Sequence, residues 1–147
     1  MTARLYVMCG LPGAGKTTRA KELAAEHNAV RMTPDDILAD LWDQEARASL
    51  EAAMWDEAQA LLAAGTNVVI DFGSWARAER DVLREGARRI GVEVELCYLD
   101  LPLDELVRRV EYRNREGISR AHLEEWQHVI EIPTEQELSL FDNPPPP

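Results

Sequence analysis

The chain has no apolar run approaching the ~20 residues that a membrane-spanning helix requires. Its 147 residues include only two cysteines, Cys9 and Cys97, and three histidines, His27, His122 and His128. Both cysteines fall in apolar segments that read as strands, so they are expected as buried thiols rather than as a disulfide. The histidines are scattered and no Cys/His grouping has zinc spacing. His122 and His128 read as helix-surface residues. No charged-then-apolar leader opens the N-terminus, so a cytoplasmic rather than a secreted location is expected. Basic charge is scarce too: 16 Lys and Arg stand against 27 Asp and Glu, a net charge of −11. This balance counts against a long nucleic acid as substrate, because such binders carry a basic stripe. It favours a small or neutral acceptor, with no membrane partner. Oligomeric state is not legible in the sequence.

The length fits one domain, and strand and helix patterns alternate along it, which argues for a parallel sheet covered by helices. The apolar run Arg4 to Cys9 reads as a first strand and Thr17 to Glu26 as a helix, with Ala20 and Leu23 on its apolar side. A second strand is expected at Ala29 to Met32. Thr33-Pro34-Asp35-Asp36 then has the signature of a helix start, with Thr33 as N-cap. Gln44 to Ala64 carries apolar residues at helical spacing and ends at Gly65. Thr66 to Asp71 reads as a third strand ending in an acid. Arg77 to Arg89 reads as a helix with Val82, Leu83, Ala87 and Ile90 inward and Gly91 as its stop. Val92 to Leu99 alternates apolar and polar residues, which places it near a sheet edge. A helix from Leu103 to about Asn114, a break at Gly117, and a helix capped by Ser119 and running to about Glu131 complete the domain, residues 1–142. Residues 143–147, ending in four prolines, read as an extended, disordered tail.

The most specific stretch is Gly10-Leu11-Pro12-Gly13-Ala14-Gly15-Lys16-Thr17, which matches G-x-x-x-x-G-K-[ST]. Glycines let the backbone turn its N–H groups toward a phosphate, and the following helix directs its positive end at the same anion. Lys16 is expected at the β/γ-phosphates and the Thr17 hydroxyl on Mg²⁺. The predicted strand before the motif and helix after it are the order that the phosphate-binding loop needs.

In an open parallel sheet, ligands gather at the carboxyl ends of the strands. Those ends carry Asp35 and Asp36 after the second strand, and Asp71 to Trp75 after the third. Asp35 is a candidate to accept the proton of an attacking hydroxyl; its plain alternative is a helix-dipole acid. Asp71 can hold Mg²⁺ through water, or pair with Arg77 or Arg80. Arg108, Arg109 and Arg113, with Arg115 and Arg120 nearby, form the strongest basic cluster. Arg109 and Arg113 lie one turn apart, a repulsive spacing unless an anion sits between them, although Glu105 can pair with Arg109. Gly117 makes the next segment hinge-like, as in a closing lid. Trp75 is the aromatic best placed to touch an acceptor, while Trp42 and Trp55 read more readily as core. The acceptor is expected near Asp36, Ser74, Trp75 and Arg77.

The loop Gly10 to Thr18, the Asp35-Asp36 pair, and Asp100-Leu101-Pro102-Leu103-Asp104-Glu105-Leu106-Val107-Arg108-Arg109 followed by Arg113 together resemble the compact P-loop kinases. These include phage-type polynucleotide kinases, chloramphenicol phosphotransferase and zeta toxins. The resemblance covers roughly residues 4–131. It implies an α/β, three-layer P-loop NTPase fold of adenylate-kinase type, with four to five parallel strands, helices on both faces and a small lid. It also implies ATP and Mg²⁺ as the cofactors. By that resemblance Gly10, Leu11, Pro12, Gly13, Ala14, Gly15, Lys16, Thr17 and Thr18 bind ATP. Arg109 packs near the adenine, the Ile132-Pro133-Thr134 segment closes over it, and Arg113 meets the transferring phosphate. Asp35 corresponds to the acceptor-activating aspartate. Phage-type polynucleotide kinases carry an arginine three residues later, where this chain has Leu38, which weakens the case for a polynucleotide acceptor. The expectation is an ATP-dependent kinase acting on a hydroxyl of a small molecule such as an antibiotic, nucleoside or sugar. A polynucleotide 5′-hydroxyl kinase is the second reading. A nucleotide-binding switch or partner-dependent ATPase is the alternative from another class.

Overall fold

The structure is a computed structural model that describes residues 3–38, 42–72, 74–113 and 117–145. Asn114, Arg115 and the last two prolines of the tail lie outside the described residues. Four strands, β1 (Arg4–Cys9), β2 (Val30–Met32), β3 (Val68–Ile70) and β4 (Glu93–Tyr98), form one sheet in the order β2-β3-β1-β4. Every pairing is parallel, with Val7 opposite both Ile70 and Leu96. Side chains alternate across a strand, so β1 feeds two cores. Tyr6 and Met8 meet Ala20 and Leu23 of α1 (Lys16–His27) on one face. Leu5, Val7 and Cys9 meet Met54, Ala58 and Leu62 of α2 (Gln44–Ala63), and Leu83 and Ala87 of α3 (Arg77–Ile90), on the other. The larger core continues through α4 (Leu103–Arg113) and α5 (Arg120–Val129) by way of Leu106, Val110 and Leu123. This is the expected P-loop NTPase arrangement of a parallel sheet flanked by helices.

Several local expectations change. The helix expected from Thr33 is one 3-10 turn, Pro34–Asp36. Thr33 makes no side-chain cap; its hydroxyl instead accepts from Arg31 Nη1 at 2.7 Å. Val82 points outward and is 53% exposed. The inward stripe of α3 is Arg80, Leu83, Gly86 and Ala87, and position 82 falls off that 3.6-residue repeat. Gly65 follows the C-cap of α2, which is Ala64, and α5 ends at Val129. His122 is not a plain surface residue, because it stacks on Trp126 with ring centroids 5.5 Å apart.

β4 is an edge strand as its alternation implied, and the segment after α6 (Glu135–Leu138) covers that edge. Asp142 donates its backbone N–H to the Val94 carbonyl at 2.7 Å and accepts from Val94 N–H through its carboxylate. Asn143, assigned by sequence to the free tail, is held instead: its side-chain amide accepts from Leu96 N–H and donates to Leu96 O, each at 2.8 Å. Satisfying these groups blocks edge-to-edge pairing with another chain.

Helices α2 and α3 approach at Gly86, where an added Cβ would sit 2.4 Å from Trp55 Cζ2. Trp55 is thus a packing residue. A glycine inside a helix normally costs up to about 1 kcal/mol against alanine, so Gly86→Ala would stabilise an open site. Here overpacking dominates, and the substitution is expected to lower unfolding free energy by about 1–3 kcal/mol. Urea unfolding monitored by far-UV circular dichroism reads this, and a stabilised variant would contradict the close approach.

Candidate active site

The loop between β1 and α1 is shaped by close contacts as well as by glycine torsions. Gly13 (φ 91°) and Gly15 (φ 96°) occupy the left-handed region that side chains avoid. A Cβ on Gly13 would meet Leu106 O at 3.0 Å and Val110 Cγ1 at 3.2 Å, so α4 packs directly on the loop. Gly10 is closed in by Leu99 O, 2.7 Å from where its Cβ would lie. Leu11 and Ala14 are buried and anchor the loop to the core.

One cavity of about 710 Å³ opens above this loop. Pro12, Gly13, Gly15, Lys16, Thr17 and Thr18 line one part of it, and Arg109 and Arg113 of α4 line it as well. Arg109 Nε is 3.0 Å from Glu105 Oε1. Hydrogen bonds from Arg108 and Arg109 lower the Glu105 pKa to about 2, so Glu105 is charged at any physiological pH. The expected Glu105 pairing and the placement of Arg109 at the phosphate loop therefore coexist. Pro133 is buried but is not among the cavity's lining residues.

Asp71, just past β3, lines the cavity with Lys16. Its Oδ1 is buried, makes no hydrogen bond, and has Lys16 Nζ 3.6 Å away. The arginine pairing considered for Asp71 does not occur. Arg80 bonds Glu137, and Arg77 bonds Asp81 at 3.3 Å and lies 3.9 Å from Glu137. Among the described residues no three His, Cys, Asp or Glu side chains gather into a metal-binding group. The donor set is one carboxylate oxygen without a hydrogen bond and Thr17, which lines the same cavity. That suits an ion which keeps several waters and is completed by substrate phosphates, as Mg²⁺ does.

The rest of the cavity's lining comes from elements far apart in sequence. Asp35 and Asp36 both line it, as expected. Asp35 Oδ1 accepts from Arg47 Nη2 of α2, and Asp36 Oδ2 from Arg31 Nη2, each at 2.6 Å. Arg47, Gln44, Ala48 and Glu51 of α2, together with Trp42, Glu79, Ile118 and Trp126, also line it; sequence reading did not assign these residues to the site. Burial raises the Glu51 pKa, with Arg47 opposing. The one available sign was the Arg47–Glu51 spacing, which puts both on one face of α2. Arg77 does not line the cavity. Its partner Asp81 is one helical turn further along α3, and turns it away.

Ser74 and Trp75 both line the cavity, and both are held in place by hydrogen bonds within the chain. Ser74 is buried and its hydroxyl donates to Met8 O. Its carbonyl accepts from Cys9 Sγ and from Arg80 Nη1. Trp75 Nε1 donates to Gly10 O at 3.1 Å, and Trp75 O accepts from Arg80 at 3.0 Å. Arg80 is wholly buried and forms a two-pronged pair with buried Glu137 at 2.6 and 2.9 Å. Burial opposes the Arg80 charge, but the Glu137 carboxylate outweighs it and raises the arginine's pKa. Both cysteine thiols, Cys9 beside Arg80 and Cys97 on the other face of the sheet, are held neutral. Burial raises Cys9, against Arg80 and Lys16, and burial with Glu95 pushes Cys97 to about 11. Neither is a thiolate nucleophile at neutral pH.

Residues 5–133 match a family model described as an AAA domain, and the chain belongs to this AAA_33 P-loop family. No match is found among curated proteins. Among solved structures, a chain of the Pnkp1/Rnl/Hen1 RNA repair complex superposes with a TM-score of 0.72 at 24% identity. The match covers 96% of this chain and 47% of that one, so the present chain spans about half its length. An unliganded sugar kinase from Janibacter sp. HTCC2649 gives a TM-score of 0.67 at 25% identity, covering 93% and 82% of the two chains. A gluconokinase from Sinorhizobium meliloti 1021 gives 0.61 at 19%, covering 93% and 79%.

The Arg80–Glu137 pair generates a prediction. Removing one partner strands a buried charge, a loss of about 3–5 kcal/mol, whereas replacing both by apolar residues is often neutral. Glu137→Ala is therefore expected to destabilise strongly in urea unfolding, and Arg80→Met combined with Glu137→Leu to recover most of the loss. A single variant within about 0.5 kcal/mol of the parent, as for ordinary surface changes, would contradict the pair's role.

Proposed function

We propose that the chain is an ATP-dependent phosphotransferase that moves the γ-phosphoryl group to a hydroxyl of a small molecule. The observation that carries this reading is the shared cavity that Lys16, Thr17, Arg113 and Asp35 all line. Lys16 and Arg113 neutralise the phosphate oxygens. The transition state for such a transfer is loose, so positioning and charge stabilisation matter more than a strong base. Asp35, oriented by Arg47, accepts the hydrogen bond of the acceptor hydroxyl. The hydroxyl oxygen forms the new bond to the γ-phosphorus, the bond to the bridging β–γ oxygen breaks, and the hydroxyl proton passes to Asp35. ADP and the phosphate monoester are the products.

Thr17 and Asp71 would hold Mg²⁺, which supplies charge neutralisation at the phosphates. The likenesses to a sugar kinase and a gluconokinase support the phosphotransfer reading at the level of fold. A polynucleotide acceptor is the second reading, on the likeness to the RNA repair complex. The acid-rich wall of Asp35, Asp36, Glu51 and Glu79 disfavours it.

Asp35→Asn is expected to cut transfer by about 10²-fold or more while nucleotide affinity is retained. Arg113→Ala is expected to cost about 10³-fold, and Lys16→Ala to weaken nucleotide binding itself. ADP release over an acceptor panel, with nucleotide affinity by calorimetry, reads all three. An Asp35→Asn enzyme with most of its transfer rate overturns the role of Asp35. ATP hydrolysis that depends on an added protein and on no acceptor overturns the phosphotransfer reading.

A further inference from the structure

The acceptor half of the cavity has an aromatic wall. Trp42 precedes α2, Trp75 follows β3, and Trp126 lies on α5; all three line the cavity. They form a continuous series. Trp42 and Trp126 have ring centroids 6.0 Å apart, and Trp75 and Trp126 5.7 Å. His122 backs the series, 5.0 Å from Trp42 and stacked on Trp126 at an interplanar angle of 18°. Two of the four rings are held by hydrogen bonds. Trp75 is tied to Gly10 O through its indole N–H, and His122 is tied to the Ser119 cap through Nδ1.

Trp42 is nonetheless 45% exposed. A half-exposed indole in the lining of a cavity leaves apolar surface within reach of what enters. The charged residues that line the cavity outside the phosphate loop and α4 are mostly acidic, although Asp36 is paired with Arg31. Asp35, Asp36, Glu51 and Glu79 line it with Arg47, and Arg47 already contacts Asp35 and lies 3.9 Å from Glu51. A carboxylate or phosphate on an acceptor would meet these acids and would compete with Asp35 for Arg47. A flat, uncharged ring would meet indole faces, and stacking on aromatic side chains is tolerant of ring identity.

We infer that the acceptor is an uncharged hydroxyl compound carrying a planar aromatic ring, which lies on the Trp42–Trp126–Trp75 wall and presents its hydroxyl to Asp35. This rests on the phosphotransfer reading for the fate of the hydroxyl, but the stacking step stands on the wall alone. Trp42 is accordingly a specificity-determining residue, and a sugar acid is a poor substrate although the fold resembles a gluconokinase.

Two measurements separate the two claims. Titrating the full chain, loaded with Mg²⁺ and a non-hydrolysable ATP analogue, with thymidine and with benzyl alcohol reads binding through tryptophan fluorescence. Gluconate and a 5′-hydroxyl oligonucleotide serve as comparison ligands. Quenching is expected with the two aromatic alcohols. Trp42→Ala is expected to weaken their binding about tenfold, with Trp42→Phe retaining most of it. Quenching absent for both aromatic compounds, tighter binding of gluconate or the oligonucleotide, or an unchanged affinity in Trp42→Ala overturns the inference. ADP release with ATP and the same four compounds then reads transfer. In that assay Trp42→Ala should raise acceptor KM about tenfold with a much smaller change in kcat. Aromatic binding without phosphoryl transfer leaves the stacking wall standing and counts against the phosphotransfer reading.

Discussion

The buried pair between Arg80 and Glu137 is the interaction on which the site's geometry depends. Both side chains are excluded from water, so neither tolerates loss of the other. The guanidinium also binds the carbonyls of Ser74 and Trp75, the two residues that follow the β3 exit. Those residues reach across to Met8 O and Gly10 O at the end of β1. One arginine therefore ties together the end of β1, the loop after β3, helix α3 and the short α6. A buried ion pair of this kind adds little net stability over an apolar replacement. Its effect here is positional: it sets the loop after β3 against the phosphate-binding loop.

That positioning explains the division of the cavity. The phosphate side is local in sequence, with Lys16 and Thr17 beside the glycines that shape the loop. The facing side is composite, joining the end of β2, the first turns of α2, the loop after β3 and one face of α5. Asp71 lies between them. Its Oδ1 has no hydrogen bond and its nearest cation is the loop lysine, the arrangement expected of a carboxylate that completes itself with a bound ligand or ion.

The order of strands and helices and the phosphate loop were legible because they depend on short-range periodicity and on a fixed spacing of glycines, lysine and threonine. The cavity placement of Asp35, Asp36, Asp71, Trp75, Arg109 and Arg113 was legible from their positions at strand ends or on one helix face. Arg77 was misplaced although its partner Asp81, four residues on along α3, is a pairing that the spacing allowed. The bond that holds the Ser74 hydroxyl was not legible because its partner, Met8 O, is distant in sequence. Arg47 and Trp126 were missed because each looks like an ordinary helix residue until α2 and α5 come to face the same space. Asn143 looked like tail because its partner strand ends dozens of residues earlier.

The sequence by itself determined the chemistry of the phosphate side and the parallel α/β architecture, since both are written in contiguous residues whose backbone geometry is nearly self-specifying. Tertiary structure alone decided which carboxylates are paired and with what, how α4 closes on Gly13, and that three tryptophans and a histidine from separate elements form one wall. Those outcomes depend on the packing of α2, α3 and α5 against a common sheet. Contacts between residues far apart in the chain leave no periodic trace in it.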